Sequence, residues 1–277
     1  MQLSRKLNPA QQEASQSSNP CPILQVHSLS AGYPGVRQII EQITFSVESG
    51  TRVAIIGPNG AGKSTLFKAL VGIIPHESGH ISINGENCQT SHNLMGYVPQ
   101  SEEIDWNFPV SVNDVVMMGR ERQIGWFKRP NTADKIAVKT ALEKVQMDHL
   151  LNQPIGQLSG GQRRRVFIAR ALAQETNVLL LDEPFNGVDV TAEHEIMQTL
   201  DTLRNQGITV ILATHDLAIA STKFDRILLI KHHVIAYGEP DEVFQPEFLD
   251  AAYGNRFHFH RFNQQQATNG NQQHVPR

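Results

Sequence analysis

Nine consecutive residues, Gly57-Pro58-Asn59-Gly60-Ala61-Gly62-Lys63-Ser64-Thr65, constrain this chain more than any others. They fit the spacing Gly-x4-Gly-Lys-[Ser/Thr] of a phosphate-binding loop. The run before them, Arg52-Val53-Ala54-Ile55-Ile56, is apolar and β-branched and reads as a buried strand. The run after them, Ser64 to Val71, reads as a helix. The glycines therefore sit where a strand turns into a helix. Lacking side chains, they let backbone N–H groups wrap around phosphate oxygens. The helix N-terminus adds its positive dipole end to the same anion. Lys63 supplies a mobile charge for the terminal phosphates, and the Ser64 hydroxyl is placed to ligate Mg²⁺. A chance match of four fixed positions in a chain this long has a probability on the order of one in a hundred. The strand and helix context lowers it further, so the loop predicts a nucleoside triphosphate site.

The rest of the chain must fit around that loop. Its 277 residues suffice for one large domain or a core with one inserted lobe. A formal net charge of -3 gives no footprint for nucleic acid. Cys21 and Cys88 form no Cys-x-x-Cys pair, so neither a zinc knuckle nor a disulfide framework is expected, and a reduced, cytosolic setting fits. Arg5 and Lys6 have no apolar run behind them, which excludes a secretory signal. No apolar stretch approaches membrane-spanning length, so work at a membrane requires docking onto another subunit.

Along the chain, residues 1–22 are polar and read as a disordered tail. Strands are expected at Ile23–Val26 and Ile43–Val47, forming a small antiparallel sheet. Ser78 to Gly85 alternates and ends in Asn-Gly, a hairpin signal. Met95 to Val98 reads as a short strand before Pro99-Gln100. Helix dominates Val112 to Leu151, where Ala137, Ala141, Leu142, Val145 and Met147 form one apolar face of an inserted lobe. Helix is expected again over Arg163–Ala173 and Thr191–Asn205, with strands at Val178–Asp182 and Gly207–Thr214. A hairpin is expected around Lys231-His232-His233, and residues 255–277 are Gln/Asn-rich and read as mostly disordered. Strands alternating with helices predict a mostly parallel α/β sheet.

Further short motifs follow the loop. Val178-Leu179-Leu180-Leu181-Asp182-Glu183 is an apolar strand ending in two carboxylates. Asp182 is placed to hold Mg²⁺ through water, and Glu183 to polarise an attacking water. Leu158-Ser159-Gly160-Gly161-Gln162 opens a helix and offers a second anion-binding surface. One nucleotide does not need two such surfaces from one chain. The physical solution is a dimer in which Ser159-Gly160-Gly161 of each chain covers the other's nucleotide. Arg163-Arg164-Arg165 is expected to be a helix surface that pairs with acids at a dimer or subunit contact. Tyr33, in a Gly/Pro turn, either stacks on an adenine ring or covers the edge of the small sheet. Gln100 and His215 end predicted strands and can reach the same anion, His215 as a donor to the terminal phosphate.

Together these motifs resemble the ATP-binding subunit of ABC transporters, over about Ile23 to Tyr253. The resemblance implies a phosphate-loop ATPase core (RecA-like) with an N-terminal antiparallel β subdomain and a helical subdomain inserted at about 101–163, within an ATPase domain at 23–254. Gly57, Pro58, Asn59, Gly60, Ala61, Gly62, Lys63, Ser64 and Thr65 match its Walker A motif. Ser159, Gly160, Gly161 and Gln162 match its signature. Asp182 and Glu183 match the Walker B aspartate and catalytic glutamate. By the same resemblance Gln100 falls at the Q-loop, where it contacts Mg²⁺ or the water. Tyr33 falls at the adenine-stacking loop, His215 at the switch histidine, and Asp189 at the D-loop. Val188 departs mildly there, because the family more often has Leu. ATP and Mg²⁺ are the implied ligands, and a second copy the implied partner.

The segment Asp105-Trp106-Asn107-Phe108-Pro109-Val110-Ser111-Val112, followed by Val115-Val116-Met117-Met118-Gly119-Arg120, resembles ATPases that import manganese, zinc or ferrous iron. There it should receive a helix of a membrane permease, with Trp106 and Phe108 as anchors. The family likeness further implies a metal-binding protein outside the membrane and a place on the cytoplasmic face of the inner membrane. Manganese comes first, zinc or iron next. The rivals are an importer ATPase for another substrate, a soluble ABC ATPase of translation or DNA repair, and an inactive docking module; intact Glu183 and His215 argue against the last. His258, His260, His232 and His233 suggest metal sensing, but two histidines are not a complete site.

Overall fold

The computed structural model describes residues 22–33, 35, 38–87, 95–100, 109–125 and 127–254. The chain opens with β1 (Leu24–Ala31), β2 (Ile40–Val47), β3 (Arg52–Ile56), α1 (Lys63–Leu70), β4 (His76–Ile83), β5 (Glu86–Asn87) and β6 (Met95–Val98). The helical lobe holds α2 (Val112–Met117), a 3-10 turn at Met118–Arg120, α3 (Glu121–Ile124) and α4 (Thr132–Lys144). Then come α5 (Gly160–Leu172), β7 (Val178–Asp182), α6 (Val190–Asn205), β8 (Thr209–Ala213) and α7 (Leu217–Lys223). The described chain closes with β9 (Arg226–Lys231), β10 (His233–Gly238), α8 (Pro240–Val243) and α9 (Pro246–Tyr253).

Six strands form the central sheet in the order β10-β9-β3-β8-β7-β6, parallel except for the β9–β10 hairpin. Its strands are apolar on both faces because both faces are covered. On one face Ala54, Ile56, Leu179, Leu181, Val210 and Leu212 pack with α5, α6 and the lobe. On the other, Val53, Ile55, Val178, Leu180, Ile211 and Ala213 pack with α1 and the small sheet. Successive side chains therefore serve different cores. The small sheet, ordered β2-β1-β4-β5, is antiparallel throughout. Asn84 and Gly85, both at positive φ (52° and 79°), make the β4–β5 turn that the Asn-Gly signal predicts.

Several boundaries move relative to the sequence reading. β1 runs on to Ala31 and β2 starts at Ile40. α5 begins at Gly160, not Arg163, because Ser159 and Gln162 form a reciprocal capping box that overrides the low helix propensity of two glycines. In α4 the buried face is Asp134, Val138, Ala141 and Leu142, while Ala137 is only half-buried. Asp134 is there to accept from Arg120 Nε at 3.2 Å, and Arg120 also reaches Ala173 O and Glu175, so the lobe is clamped to the end of α5. The tails expected at residues 1–21 and 255–277, and the segment Asp105 to Phe108, lie outside the described residues.

Candidate nucleotide site at the carboxyl edge of the sheet

Parallel strands deliver their carboxyl ends to one edge, and the functional residues collect there. β3 ends in the glycine loop, β6 in Pro99-Gln100, β7 in Asp182-Glu183 and β8 in Thr214-His215. They surround a cavity of about 850 Å³ lined by Gly57–Thr65, Gln100, Glu183, Asn186 and His215, together with Ile39 and Tyr253.

The loop is built for an anion. Gly62 caps α1 at φ 98°, a left-handed conformation, and offers no side-chain cap, so the first N–H groups of α1 face the cavity. Gly57 rests on the main chain of β9: a Cβ there would lie 2.2 Å from Ile230 O. The β9–β10 turn holds the loop from the same side, His232 N–H donating to Ala61 O at 2.9 Å while His232 Nδ1–H donates to Ile39 O at 2.9 Å. Gly57→Ala must push these backbones apart, at about 1–3 kcal/mol. The expected result is a melting temperature lowered by at least about 2 °C together with weaker ATP binding, read by thermal unfolding and nucleotide titration.

Lys63 is 6% exposed and lies across its own loop, donating to Gly57 O at 2.9 Å and Pro58 O at 3.3 Å. Burial pulls its pKa down, and the nearby Glu183 and Asp182 charges pull it back up. Asp182, 2% exposed, is pushed above the usual carboxylate range, chiefly by burial; the Ser64 and Tyr97 hydroxyls act in the opposite sense. Tyr97 Oη donates to Asp182 Oδ2 at 3.3 Å, whereas Oδ1 is buried with no hydrogen-bond partner among the described residues. A buried carboxylate with an orphaned oxygen beside a serine hydroxyl is a donor set that suits Mg²⁺.

Glu183 has φ 45°, an uncommon backbone conformation for a glutamate. Its Oε2 accepts from Gln100 Nε2 at 3.2 Å and from Asn186 Nδ2 at 2.5 Å, and His215 Nδ1 lies 3.7 Å away. The carboxylate is thus aimed into the cavity between the ends of β6 and β8.

The other expected residues lie elsewhere in this chain. Ser159 and Gln162 cap α5, away from the cavity lining, and Gly161 packs against Ala192 of α6, where a Cβ would come within 2.6 Å. Asp189 caps α6, accepting from Ala192 N–H at 2.8 Å. Tyr33 is half-buried, its ring 5.7 Å from Lys68 Nζ in α1, and it packs on the small-sheet core. Arg164 departs from the expected helix surface: it is buried, because α5 lies on the sheet and α6. Within this chain Arg165 pairs with Glu195 at 2.9 Å and Arg163 donates to Gly156 O. Sequence reasoning missed Asn186, Tyr97, Tyr253 and Arg164. Only Arg164 left a usable signal: it interrupts, at helical spacing, the buried stripe of Gly161, Ile168 and Ala171.

A cation over a cradled anion and a carboxylate held beside it are what hydrolysis of a terminal phosphate requires, so the fold and this edge define a phosphate-loop nucleoside triphosphatase. The family model for ABC transporters matches residues 40–186. The chain is 45% identical over 233 residues to the manganese transport system ATP-binding protein MntA of Synechocystis sp., covering 83% of this chain and 90% of that protein. It is 41% identical over 233 residues to the zinc transport system ATP-binding protein TroB of Treponema pallidum, covering 84% and 87%. A solved metal-chelate type ABC transporter in an inward-facing conformation matches with a TM-score of 0.73 at 31% identity, over 84% of this chain and 89% of that one. The chain belongs to the ABC transporter family, as an ATP-hydrolysing subunit. Among the described residues, no helix is long and apolar enough to cross a membrane.

Proposed function

We propose that this chain drives the import of a divalent metal ion, manganese first and zinc or iron next, through a separate membrane permease. The likeness to MntA across nearly the whole of that protein carries the reading. The ATPase unit spans 23–254, with the helical lobe inserted at about 101–163. Two copies sandwich two ATP molecules, Ser159, Gly160, Gly161 and Gln162 of one chain, with Asp189, completing the site of the other, and Tyr33 stacking on the adenine. Ser64, Asp182 and Gln100 hold Mg²⁺, whose charge offsets that on the phosphates. Lys63 binds the terminal phosphate, Glu183 orients the attacking water and accepts its proton, and His215 donates to the phosphate oxygen. The chain sits on the cytoplasmic face of the membrane, and an extracytoplasmic protein delivers the metal.

The permease docks near Asp105–Val112, and a groove of about 230 Å³ bounded by Val71, Ile73, Met95, Met118 and Arg122 offers it a further contact. Ile73 and Met118 are 60% and 51% exposed there, a pair of apolar contacts for a permease helix. Cells lacking this chain should lose most of their uptake of radioactive manganese, restored by the wild-type gene and not by Glu183→Gln. Unchanged uptake of manganese, zinc and iron alike would remove the metal assignment.

A further inference from the structure

Arg164 is 7% exposed; the Asp182 charge acts on it, but its hydrogen bonds go to no carboxylate among the described residues. Its guanidinium is spent on main-chain carbonyls instead. Nε donates to Pro184 O at 3.0 Å, Nη1 to Pro99 O at 3.0 Å and Nη2 to Glu183 O at 2.9 Å. Pro99 immediately precedes Gln100, and Glu183 and Pro184 follow β7. One side chain on α5 therefore grips the ends of two neighbouring strands, each just where a functional side chain departs.

The arrangement is costly. Burying a cation whose hydrogen bonds go to neutral acceptors carries a desolvation penalty that apolar packing would avoid, and the nearby Asp182 charge offsets only part of it. An aliphatic residue would continue the stripe of Gly161, Ile168 and Ala171 at this position. What an aliphatic residue cannot supply is a rigid planar fork that fixes acceptors from separate segments in one geometry. One of those acceptors belongs to Glu183, whose φ of 45° persists only where its surroundings hold it. The Glu183 amide is held by Ala213 O at 3.0 Å, its carboxylate by Asn186 and Gln100, and its carbonyl by Arg164.

We propose that Arg164 is a positioning residue for hydrolysis, holding the main chain at Glu183 and next to Gln100 in the arrangement that attack on the terminal phosphate needs, and tying that arrangement to the helix that begins at Ser159. The second half rests on the two-chain reading above. There the start of α5 closes the neighbouring chain's nucleotide, so Arg164 links the catalytic carboxylate of one site to the cover of the other.

The test uses the full chain carrying Arg164→Gln or Arg164→Lys, with Arg165→Gln as a control on the same helix. Turnover, the KM for ATP, the Hill coefficient and the affinity for a fluorescent ATP analogue with Mg²⁺ are measured. Displacing a reacting group by about 1 Å costs up to about a hundredfold. Arg164→Gln should lower kcat by about ten- to a hundredfold with KM and analogue affinity within about twofold. Arg164→Lys, a point charge in place of a fork, should recover only part of kcat, and Arg165→Gln should stay within about twofold of wild type. The Hill coefficient should fall toward 1 in Arg164→Gln. Retained kcat overturns the proposal, as does a loss of kcat matched by equal loss of nucleotide affinity and melting temperature, which is a folding role. If Arg164→Gln does not fold, the kcat and KM of Arg164→Lys decide by the same criteria. If wild type shows no cooperativity and Glu183→Gln forms no ATP-dependent dimer, the two-chain reading falls, and the kcat split still judges the positioning role.

Discussion

Glu183→Gln should lower ATP turnover by about 10²–10⁴-fold while ATP stays bound. The geometry explains why the two effects separate. The glutamine carbonyl can still accept from Asn186 and Gln100, so the cavity keeps its shape. It has lost the negative charge that, in the proposed role, takes a proton from water. Lys63, the glycine loop and the open end of α1 are untouched, so the nucleotide still binds. With the proposed two-chain site, the variant accumulates as an ATP-bound dimer, seen as a shift to twice the mass in size-exclusion chromatography with ATP. Turnover within tenfold of wild type would show that another group activates the water.

Asp182→Asn has opposite effects on stability and on activity. Burial raises the Asp182 pKa above its ordinary 3.8, so the folded state binds this proton more tightly than the unfolded chain does. Its stabilising contribution is therefore present below the unfolded pKa and is lost as pH rises through the raised folded value. Above that value the carboxylate is charged, and the buried charge costs stability. Asparagine mimics the protonated form. Without nucleotide, above the raised folded value, its melting temperature rises, by about 2–4 °C for each kcal/mol recovered, and stability falls less as pH rises through that value. The further stabilisation by Mg-ATP, about 2.7 kcal/mol at a hundredfold excess over Kd in the wild type, largely disappears, and turnover falls by at least about 10²-fold. A lower melting temperature without nucleotide would mean that the charge is satisfied in the fold.

The central strands were legible because each is a short, continuous apolar run, the pattern that burial on both faces imposes. Asp182 ends a strand, Glu183, Gln100 and His215 follow one by one or two residues, and Lys63 and Ser64 close the glycine loop that follows β3; all were legible because parallel pairing brings those strand ends to one edge. Chain spacing alone did not reveal what supports them. Asn186 and Tyr97 matter only through the carboxylates they touch, and nothing in a turn asparagine or a strand tyrosine announces that contact. Arg164 read as surface because its neighbours Arg163 and Arg165 share its composition, and only the helical phase of α5 separates one buried arginine from the two beside it. The start of α5 was misplaced for a related reason. Two glycines argue against helix, and the Ser159–Gln162 capping box outweighs them.

The support under Gly57 has a consequence for how the protein is made. The loop leaves the ribosome well before its support, because the carbonyl it rests on belongs to Ile230 and the turn that holds it to His232. Until β8 and β9 have been synthesised, β3 has neither of its sheet neighbours. ATP, abundant as it is, therefore has no finished site to bind on a half-made chain and cannot help it fold. That chain presents an apolar β3 with two unpaired edges, which is an aggregation hazard. Nascent chains stalled before β8 should therefore engage chaperones, whatever the nucleotide concentration.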